Sequence, residues 1–324
     1  MPLQKKLARV GLAKQSAKGT AATVPAFAFG IRDGGVFSAE LPQEREEITQ
    51  SASLIAPAAN RGLVVPGAEF STRAYAGSIG LLLYAALGGI ATTGTGPYTH
   101  TITPATALPW LSVFGQLDGN LIKAFDCLVD ELEISWDGVE PLEVSASMIG
   151  RSVEWPGSFG TVTNDEELAA YFRPVGGTFK VDVDSATPVT ASIKAGSLKI
   201  ANNVEAIDLS HLATPGEVWN GAQDIDVGLT LVPDVLDDWR TILTGTAAGT
   251  SVSAVPIYGS FEVQFNLDAN TFLKLAASRV AFAVEFPEAD SGGGSVELPL
   301  EGLVVRPASG APFTATVKNT IVSY

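Results

Sequence analysis

Cysteine and histidine are nearly absent from this sequence, which holds one cysteine, Cys127, and two histidines, His100 and His211. A single thiol cannot form an intrachain disulfide or supply a cysteine-based zinc cluster. Cys127 lies in an apolar, strand-like run, so we expect a buried and unreactive thiol. The histidines stand in dissimilar surroundings, YTHTITP and DLSHLATP, without a cysteine partner. Neither a metal site nor a Ser-His-Asp triad is therefore indicated.

Long apolar runs are lacking as well. The most apolar stretch, GSIGLLLYAALGGIA from Gly77 to Ala91, is shorter than the roughly 20 residues that a membrane-spanning helix needs. We expect it to form one buried helix. Lys14 and Lys18 interrupt the N-terminal segment, which argues against a secretory signal. The sequence thus predicts a soluble protein.

Sequence motifs that indicate catalysis or ligand binding are lacking. The sequence contains no GxGxxG, GxxxxGK[ST] or GxSxG motif, and VDVDS (181–185) lacks the glycine and the final glutamate of a calcium loop. Asp130, Glu131 and Glu133 could in principle supply a hydrolase pair. Carboxylates at this spacing on a strand more often form a solvated face, however. We therefore predict that the protein is not an enzyme and uses no cofactor or metal.

Charge is distributed unevenly along the chain. The formal net charge is -15, yet the first 18 residues contain no acid. The basic residues of this segment are Lys5, Lys6, Arg9, Lys14 and Lys18. The remainder is strongly acidic and should repel nucleic acid rather than bind it. The basic segment is interpreted as a disordered tail or as a strap that contacts another subunit.

Glycine, proline and β-favouring residues are what the sequence has in quantity. Hydrophobic residues make up 46% of the chain, and 33 glycines and 19 prolines divide it into short runs. Valine, threonine, isoleucine and phenylalanine are frequent in those runs. This composition predicts a mainly β fold.

One pattern occurs twice along the chain. LDGNLIKAFDCLVDELEIS (117–135) is echoed by LDANTFLKLAASRVAFAVEF (267–286), and each copy follows a strand, a short helix and a Gly/Thr-rich loop. We expect the helices near Leu81–Leu87 and Val235–Leu243. The echo predicts a duplicated unit of about 150 residues. The predicted organisation is an N-terminal arm (1–30), a first unit (31–160) and a second unit (161–324).

Strand faces follow from the alternation of apolar and polar residues. Each predicted hairpin has an apolar side for a core, which the helices would cover, and a small, polar, acidic side for water. The residues expected on the apolar sides are Leu132, Ile134, Trp136, Leu142, Val144, Ala146, Met148, Val280, Phe282, Val284, Phe286, Val296, Leu298 and Leu300.

The order of these features resembles the tail tube (major tail) proteins of bacteriophages with long, non-contractile tails. The most specific element is Tyr-x-His-Thr-x-x-Pro followed by Phe-x-x-Cys-x-x-x-x-Leu, and the resemblance is best over residues 10 to 155. The segments that carry it are VGLAKQSAKGTAATVPAFAF (10–29), EREEITQSASLIAPAANRGLVVPGAEF (44–70), IGLLLYAALGG (79–89), GPYTHTITPATALPWLSVFG (96–115) and AFDCLVDELEISWDGVEPLEVSASMIGR (124–151).

The resemblance implies two tandem β-sandwich or barrel units, each with a flanking helix, that form a ring-shaped barrel on oligomerisation. Stacked rings would form a hollow conduit for viral double-stranded DNA, without specific binding of that DNA. Two units per chain favour trimeric, pseudo-sixfold rings, and a single unit per chain would give a hexamer. The implied partners are further copies, a tape measure protein and a tail terminator protein, in a virion tail assembled in the host cytoplasm.

Two residue sets are candidates for function under this interpretation. The candidates for lining the channel are Glu131, Glu133, Glu143, Glu285 and Glu297, with outer solvent as the alternative location. The candidates for an arm between rings are Lys5, Lys6, Arg9 and Lys14.

Two other functions remain open at the level of sequence. A non-enzymatic β-sandwich binding module (a tail terminator, a decoration protein or an adhesin) would also lack catalytic residues. A carboxylate-based glycosidase would need tryptophans gathered at a cleft, whereas the five tryptophans are scattered at the ends of predicted elements.

Overall fold

The fold is mainly β, as predicted. The computed structural model describes residues 8–33, 43–45, 59–61, 64–117, 120–185, 187–209, 212–233, 236–284 and 296–324. These residues form 22 strands and two short helices. Of the two helices in the described residues, neither is both long and apolar enough to cross a membrane.

The first half of the chain, defined as residues 1–160, contains eleven of the strands and one helix among its described residues. The elements are β1 (Ala8–Lys14), β2 (Phe27–Gly30), β3 (Gln43–Arg45), β4 (Ala59–Arg61), β5 (Gly67–Arg73), α1 (Ile79–Leu87), β6 (Gly88–Thr93), β7 (Tyr98–Pro104), β8 (Leu111–Leu117), β9 (Asn120–Asp137), β10 (Glu143–Ile149) and β11 (Ser152–Glu154).

The second half, residues 161–324, contains the other eleven strands and the second helix. The elements are β12 (Asn164–Asp165), β13 (Thr178–Asp182), β14 (Val189–Thr190), β15 (Ile193–Ala201), β16 (Val204–Ile207), β17 (Glu217–Asn220), β18 (Asp224–Leu231), α2 (Asp237–Thr244), β19 (Tyr258–Asp268), β20 (Thr271–Val284), β21 (Leu298–Val304) and β22 (Phe313–Asn319).

Seven strands from both halves pair into one antiparallel sheet in the order β5–β10–β9–β15–β18–β21–β20. Strand alternation sets its two faces, as predicted. Leu132, Ile134 and Trp136 of β9 are buried in the core, where each such side chain contributes about 1.5–3 kcal/mol by leaving water. Glu131 and Glu133 face the other way. Among the described residues this sheet does not close into a barrel.

The apolar faces were predicted correctly at most positions. Leu142, just before β10, and Val144, Ala146 and Met148 within it are buried, and so are Val280, Phe282, Leu298 and Leu300. The prediction for Val296 was wrong, because this residue precedes the strand and is 46% exposed. Val284 is half-buried, and Phe286 lies outside the described residues.

The same antiparallel pairing order occurs in both halves. In the first half it is β2–β1–β8–β9–β10–β5. In the second half it is β14–β13–β19–β20–β21–β18. The helix follows β5 in one half and β18 in the other. The six strands of this order and the helix thus hold corresponding places in the two halves, whereas β6 and β7 have no counterpart strands between α2 and β19, where all residues are described.

A β-bulge lies at the same place in both orders. In β9, Phe125 and Asp126 together lie opposite Ser112 of β8, because Leu111 pairs with Cys127 and Val113 with Ala124. In β20, two residues likewise lie opposite a serine: Gly259 pairs with Val280 and Phe261 with Ala277, which leaves Ser278 and Arg279 opposite Ser260. Both serines are fully buried. A bulge bends a strand locally, and beyond it β9 changes partner from β8 to β15.

The two halves are joined by strand pairing and by a buried polar contact. β15 pairs with β9 on one edge and β18 on the other, and β22 pairs with both β20 and β7. The Asn202 side-chain amide donates to the carbonyls of Ala86 (3.0 Å) and Val129 (2.9 Å). Gln223 Nε2 donates to the same Ala86 carbonyl at 2.8 Å. Two of these bonds satisfy the Ala86 carbonyl at the end of α1, which the helix itself leaves free.

The helices differ in burial. In α1, eight of nine residues are buried, and the helix packs against β9, β7 and β6. In α2, only Thr241 is fully buried, and Trp239 and Ile242 are partly so. The prediction that both helices cover the apolar side of a sheet therefore holds more fully for α1.

One sequence prediction for the first half was wrong. The Gly/Thr-rich segment after α1 was expected to be a loop, but Gly88–Thr93 form β6, which pairs with β7. The outer edge of β7 pairs in turn with β22, from the opposite end of the chain. Long-range pairing therefore overrides the weak strand propensity of this local sequence.

Candidate functional site

The side of the seven-stranded sheet that faces away from the core forms a continuous polar surface, here named the polar sheet face. Its small side chains include Ser71, Ser145, Ser147, Ser135 and Ser197, on four adjacent strands. Glycine and alanine occur at Gly228, Ala195 and Ala283 on the strands that continue it. The face is therefore low in relief and rich in hydroxyl groups.

Carboxylates dominate the charge of the polar sheet face. On the six strands from β5 to β21, eight carboxylates point to this face, against two cationic side chains, Arg73 and Lys199. β20 adds one cation, Arg279, on the same side as Ala281 and Ala283. The eight are Glu69, Glu131, Glu133, Asp137, Glu143, Asp224, Asp226 and Glu301. All are partly or fully exposed, so the face presents net negative charge to whatever lies above it.

Some of these carboxylates are paired with cations at the surface. Lys199 Nζ lies 2.8 Å from a Glu131 oxygen, and the bond raises the pKa of this lysine. Arg32 approaches Glu143 at 3.0 Å, and the Ser71 hydroxyl donates to the same carboxylate. Exposed pairs of this kind each stabilise the fold by about 0–1 kcal/mol. They hold side chains in place while leaving the face acidic.

The predicted channel-lining residues fall into three groups. Glu131, Glu133 and Glu143 lie together on the polar sheet face. Glu297 is exposed just before β21, where Lys194 lies 2.6 Å away and has its pKa raised by this carboxylate. Glu285 lies outside the described residues. Whether any of them lines a channel stays a prediction.

Sequence reasoning missed several members of the face. Glu69, Asp226 and Glu301 have the same period-two signal that identified Glu131. The local sequence pattern does not show that these three residues share a face with Glu131, because the order in which distant strands pair is not a local property. Lys199 was missed for the same reason: it lies opposite Glu133 only because β15 pairs with β9.

The predicted arm residues are engaged within the chain where the structure describes them. Arg9 and Lys14 belong to β1, which pairs with β2 and β8. Arg9 bonds to Asp165 and lies over the Phe159 ring. Lys14 Nζ lies 4.9 Å from the centre of the Tyr84 ring. Lys5 and Lys6 lie outside the described residues, and a role between rings stays a prediction.

The cysteine and the described histidine lie in the core, and burial shifts the pKa values of both. Cys127 is buried, as predicted, and burial raises the pKa of its thiol. Burial lowers the pKa of His100, whose ring bonds to the Thr92 hydroxyl and the Ile321 carbonyl, both at 2.9 Å. His211 lies outside the described residues. Among the described residues, no group of three or more His, Cys, Asp or Glu is placed to hold a metal ion.

Comparison with known proteins places the chain in a family. A family model described as phage tail tube protein matches residues 6–304. No curated protein sequence matches significantly. The family match spans nearly the whole chain and both halves of the fold. The chain therefore belongs to the phage tail tube protein family.

Proposed function

We propose that three copies of this chain form a ring of six equivalent units, that rings stack into a hollow tube, and that the polar sheet face lines its channel. Viral double-stranded DNA passes through this channel during delivery to the host. The observation that carries the proposal is the continuity of the acidic, small-residue face across both halves of the chain.

Family membership supplies the coarser part of this account. A phage tail tube protein is a structural protein of the virion tail, and it assembles with itself into a tube. The proposal adds the number of copies in a ring, the surface that faces the channel and the cargo. A tape measure protein inside the tube and a terminator at its end are further proposed partners.

Two copies of one unit in each chain are supported by three coincidences. The six-strand pairing order is the same in the two halves, the helix follows the same strand, and a bulge lies opposite a buried serine in each. The proposed units are the two halves, 1–160 and 161–324: the N-terminal segment 1–30, predicted as a separate arm, supplies β1 and β2 of the first six-strand order. A ring of six such units needs three chains, and a chain with one unit would need six.

Open strand edges support closure between copies. β5 pairs with β10 on one edge, and on the other edge the described residues form backbone bonds only at Ser71, with Arg32 and Asp33. The corresponding edge of β18 is filled by β15, which connects it to the first half. An unpaired edge is a site of unwanted association, and closure into a ring removes it.

The charge of the polar sheet face suits a channel for DNA. A phosphate backbone near carboxylates is repelled over about 8–10 Å at physiological salt, and serine, glycine and alanine leave few long side chains to obstruct it. The face therefore resists adhesion rather than promoting binding. Acidity is also unequal between halves: β9 carries Glu131 and Glu133, whereas β20 carries Ala281 and Ala283. In a trimeric ring this inequality repeats with threefold period.

Access to the channel can be tested by labelling. Ser145 is exposed on the polar sheet face and far from the single native cysteine, which is buried. In S145C, both a small maleimide and a long polyethylene glycol maleimide should label the free chain. In assembled tubes the small reagent should still react and the long one should be excluded. V189C, on β14 in the opposite part of the fold, is the exposed control that should react with both in either state.

Charge reversal tests the role of the acidic face. We expect lysine substitution at several carboxylates to leave tubes intact and to slow genome delivery, because each lysine attracts phosphate. The substituted set is Glu131, Glu133, Glu143, Glu285 and Glu297, singly and together. E205K, on β16, is the control that should deliver DNA normally. Unchanged delivery by the multiple variant, or equal labelling of S145C by the long maleimide in tubes and in free chains, would remove the polar sheet face from the channel.

A further inference from the structure

Within the chain, the second half covers the connection that follows α1. Strand β22 pairs with β7, so that Ala315 lies opposite Ile102. Tyr324 completes the cover: its hydroxyl donates to the Gly77 carbonyl at 2.7 Å, and its ring contacts the His100 ring at 4.7 Å between centres. The segment after α1 is thus part of the junction between halves.

The counterpart of this segment in the second half is uncovered. Residues 245–257 connect α2 to β19, are all described, and form no strand. Val252 is 78% exposed and Val255 is 67% exposed. The connection contains no charged residue. The connection after α1, residues 88–110, buries His100, Ile102 and Leu108, although residues 91–96 are exposed. Residues 245–257 bury no side chain. An exposed, uncharged segment at the place where the other half has buried contacts indicates a surface that is covered in the assembly.

The counterpart of β22 in the first half is β11. β11 follows β10 along the chain and pairs with β9, where Val153 lies opposite Ala124. In the same way β22 follows β21 and pairs with β20, where Phe313 lies opposite Ala277. Ala124 and Ala277 hold the same place beside the bulge. Val153 therefore corresponds to Phe313. Two residues further along the chain, Trp155 corresponds to Ala315.

Trp155 is 72% exposed. Its counterpart Ala315 is fully buried and pairs with the other half. A large aromatic residue left in water, at a position whose counterpart makes a contact, is the kind of residue that anchors interfaces between proteins.

We propose that Trp155 and the outer edge of β11 in one copy dock onto the α2–β19 connection, residues 245–257, of the next copy. The contact repeats between chains the junction that β22 and β7 make within a chain. The occupant is a second copy because the surface that fits the connection is present on this same chain, at the corresponding place. Such a contact joins two different surfaces, and it closes into a ring only when the rotation per chain allows it. The inference rests on the proposed ring and specifies where its chains meet.

Disulfide trapping tests the contact directly. Tubes of the double variants W155C/V252C and W155C/V255C are oxidised and run on denaturing gels without reductant. We expect at least one of them to give chains linked head to tail, with the closed three-chain ring as the largest product. Native Cys127 is buried and should not contribute. The single variants should stay at the mass of one chain.

The matched control is W155C/V175C. Val175 is 61% exposed and lies near Asn266, whose side chain bonds to the Gly176 carbonyl. Asn266 is at the far end of β19 from the α2–β19 connection, about 25 Å away along the strand. This variant should not cross-link. Cross-linking as strong as that of the other pairs would mean random collision and would overturn the assignment.

A second variant covers the case in which a cysteine at position 155 prevents assembly. W155E should remain folded, because the side chain is exposed, and should stay as single chains. W155F should assemble like the wild type. Normal tubes from W155E, or tubes of both cysteine pairs without cross-links, would place the contact elsewhere and leave the tube itself standing. Failure of the wild-type chain to form rings would instead remove the proposed function, and this contact with it.

Discussion

Helices α1 and α2 hold the same place in the strand order of the two halves, yet their surroundings differ. α1 is buried on almost every side, and its Ala86 carbonyl accepts hydrogen bonds from Asn202 and Gln223 of the other half. α2 has one fully buried residue, and the connection after it is exposed. The difference follows from position in the chain: α1 lies against β15 and β22 of the second half, whereas α2 lies against β20 of its own half. In the proposed ring, a second copy would cover the connection after α2.

The bulges show a second contrast. In the first half, the bulge residue Asp126 is fully buried, with Arg151 2.6 Å away and with hydrogen bonds from Gln15 and from the Gly19 backbone. In the second half, the bulge residue Arg279 lies over the Tyr258 ring at 4.1 Å. The backbone feature is the same in both halves, but a buried ion pair fixes it in one and a surface stacking contact in the other.

The largest expected effect is therefore at the first bulge. Asp126→Ala should lower the free energy of unfolding by about 3–5 kcal/mol, because Arg151 and two donors lose their buried acceptor. Arg279→Ala should cost about 0.5–1 kcal/mol, the value of a partly exposed cation–π contact. Urea unfolding of the two variants checks the comparison. Equal losses would mean that the two bulges are held with equal strength.

A smaller contrast is expected between the helices. Leu82→Ala in α1 should cost about 2–5 kcal/mol, because the side chain is fully buried. Ile242→Ala in α2 should cost less in the single chain, since that side chain is only partly buried. Chemical unfolding of the unassembled chain is the measurement. A larger loss for Ile242→Ala would show that α2 is covered within the chain after all.

The smallest expected effect is a pH dependence at the start of α1. Glu166 accepts the Ser78 N–H at 3.0 Å, and burial raises its pKa above the usual 4.5. A raised pKa in the folded state means that folding favours the protonated form. Stability should therefore be full below about pH 4.5 and decline as the pH rises towards the raised pKa. The loss is about 1.4 kcal/mol for each whole pH unit that separates the pKa of the folded chain from that of the unfolded chain.

Glu166→Gln isolates this effect, since glutamine keeps an acceptor oxygen and does not titrate. The difference in unfolding free energy between wild type and variant should change with pH in the window above 4.5 and be constant below it. A constant difference across the whole range would assign the pH dependence of the wild type to other groups. In helix α1 a carboxylate from a distant part of the chain, Glu166, lies at the N-terminus. In helix α2 the carboxylates at the N-terminus are Asp237 and Asp238 of its own first turn.

The parts of the fold that local pattern determines can be predicted from sequence. Alternation places Leu132 and Ile134 inside and Glu131 and Glu133 outside, and an apolar run places α1. Pairing between distant strands cannot be predicted in this way, because nothing local indicates that β15 lies beside β9 or that β22 lies beside β7. For the same reason the sequence predicts a loop where β6 forms, and it leaves Lys199 out of the candidate site.

The central claim is that one chain contains two equivalent units and that three chains complete a ring. A helical reconstruction of assembled tubes by electron cryomicroscopy, at a resolution that separates strands, tests it most directly. We predict three chains in each ring, six similar units around the channel, and the polar sheet face of every chain turned towards the axis. Six chains in a ring, or the polar sheet face on the outer surface, would contradict the account.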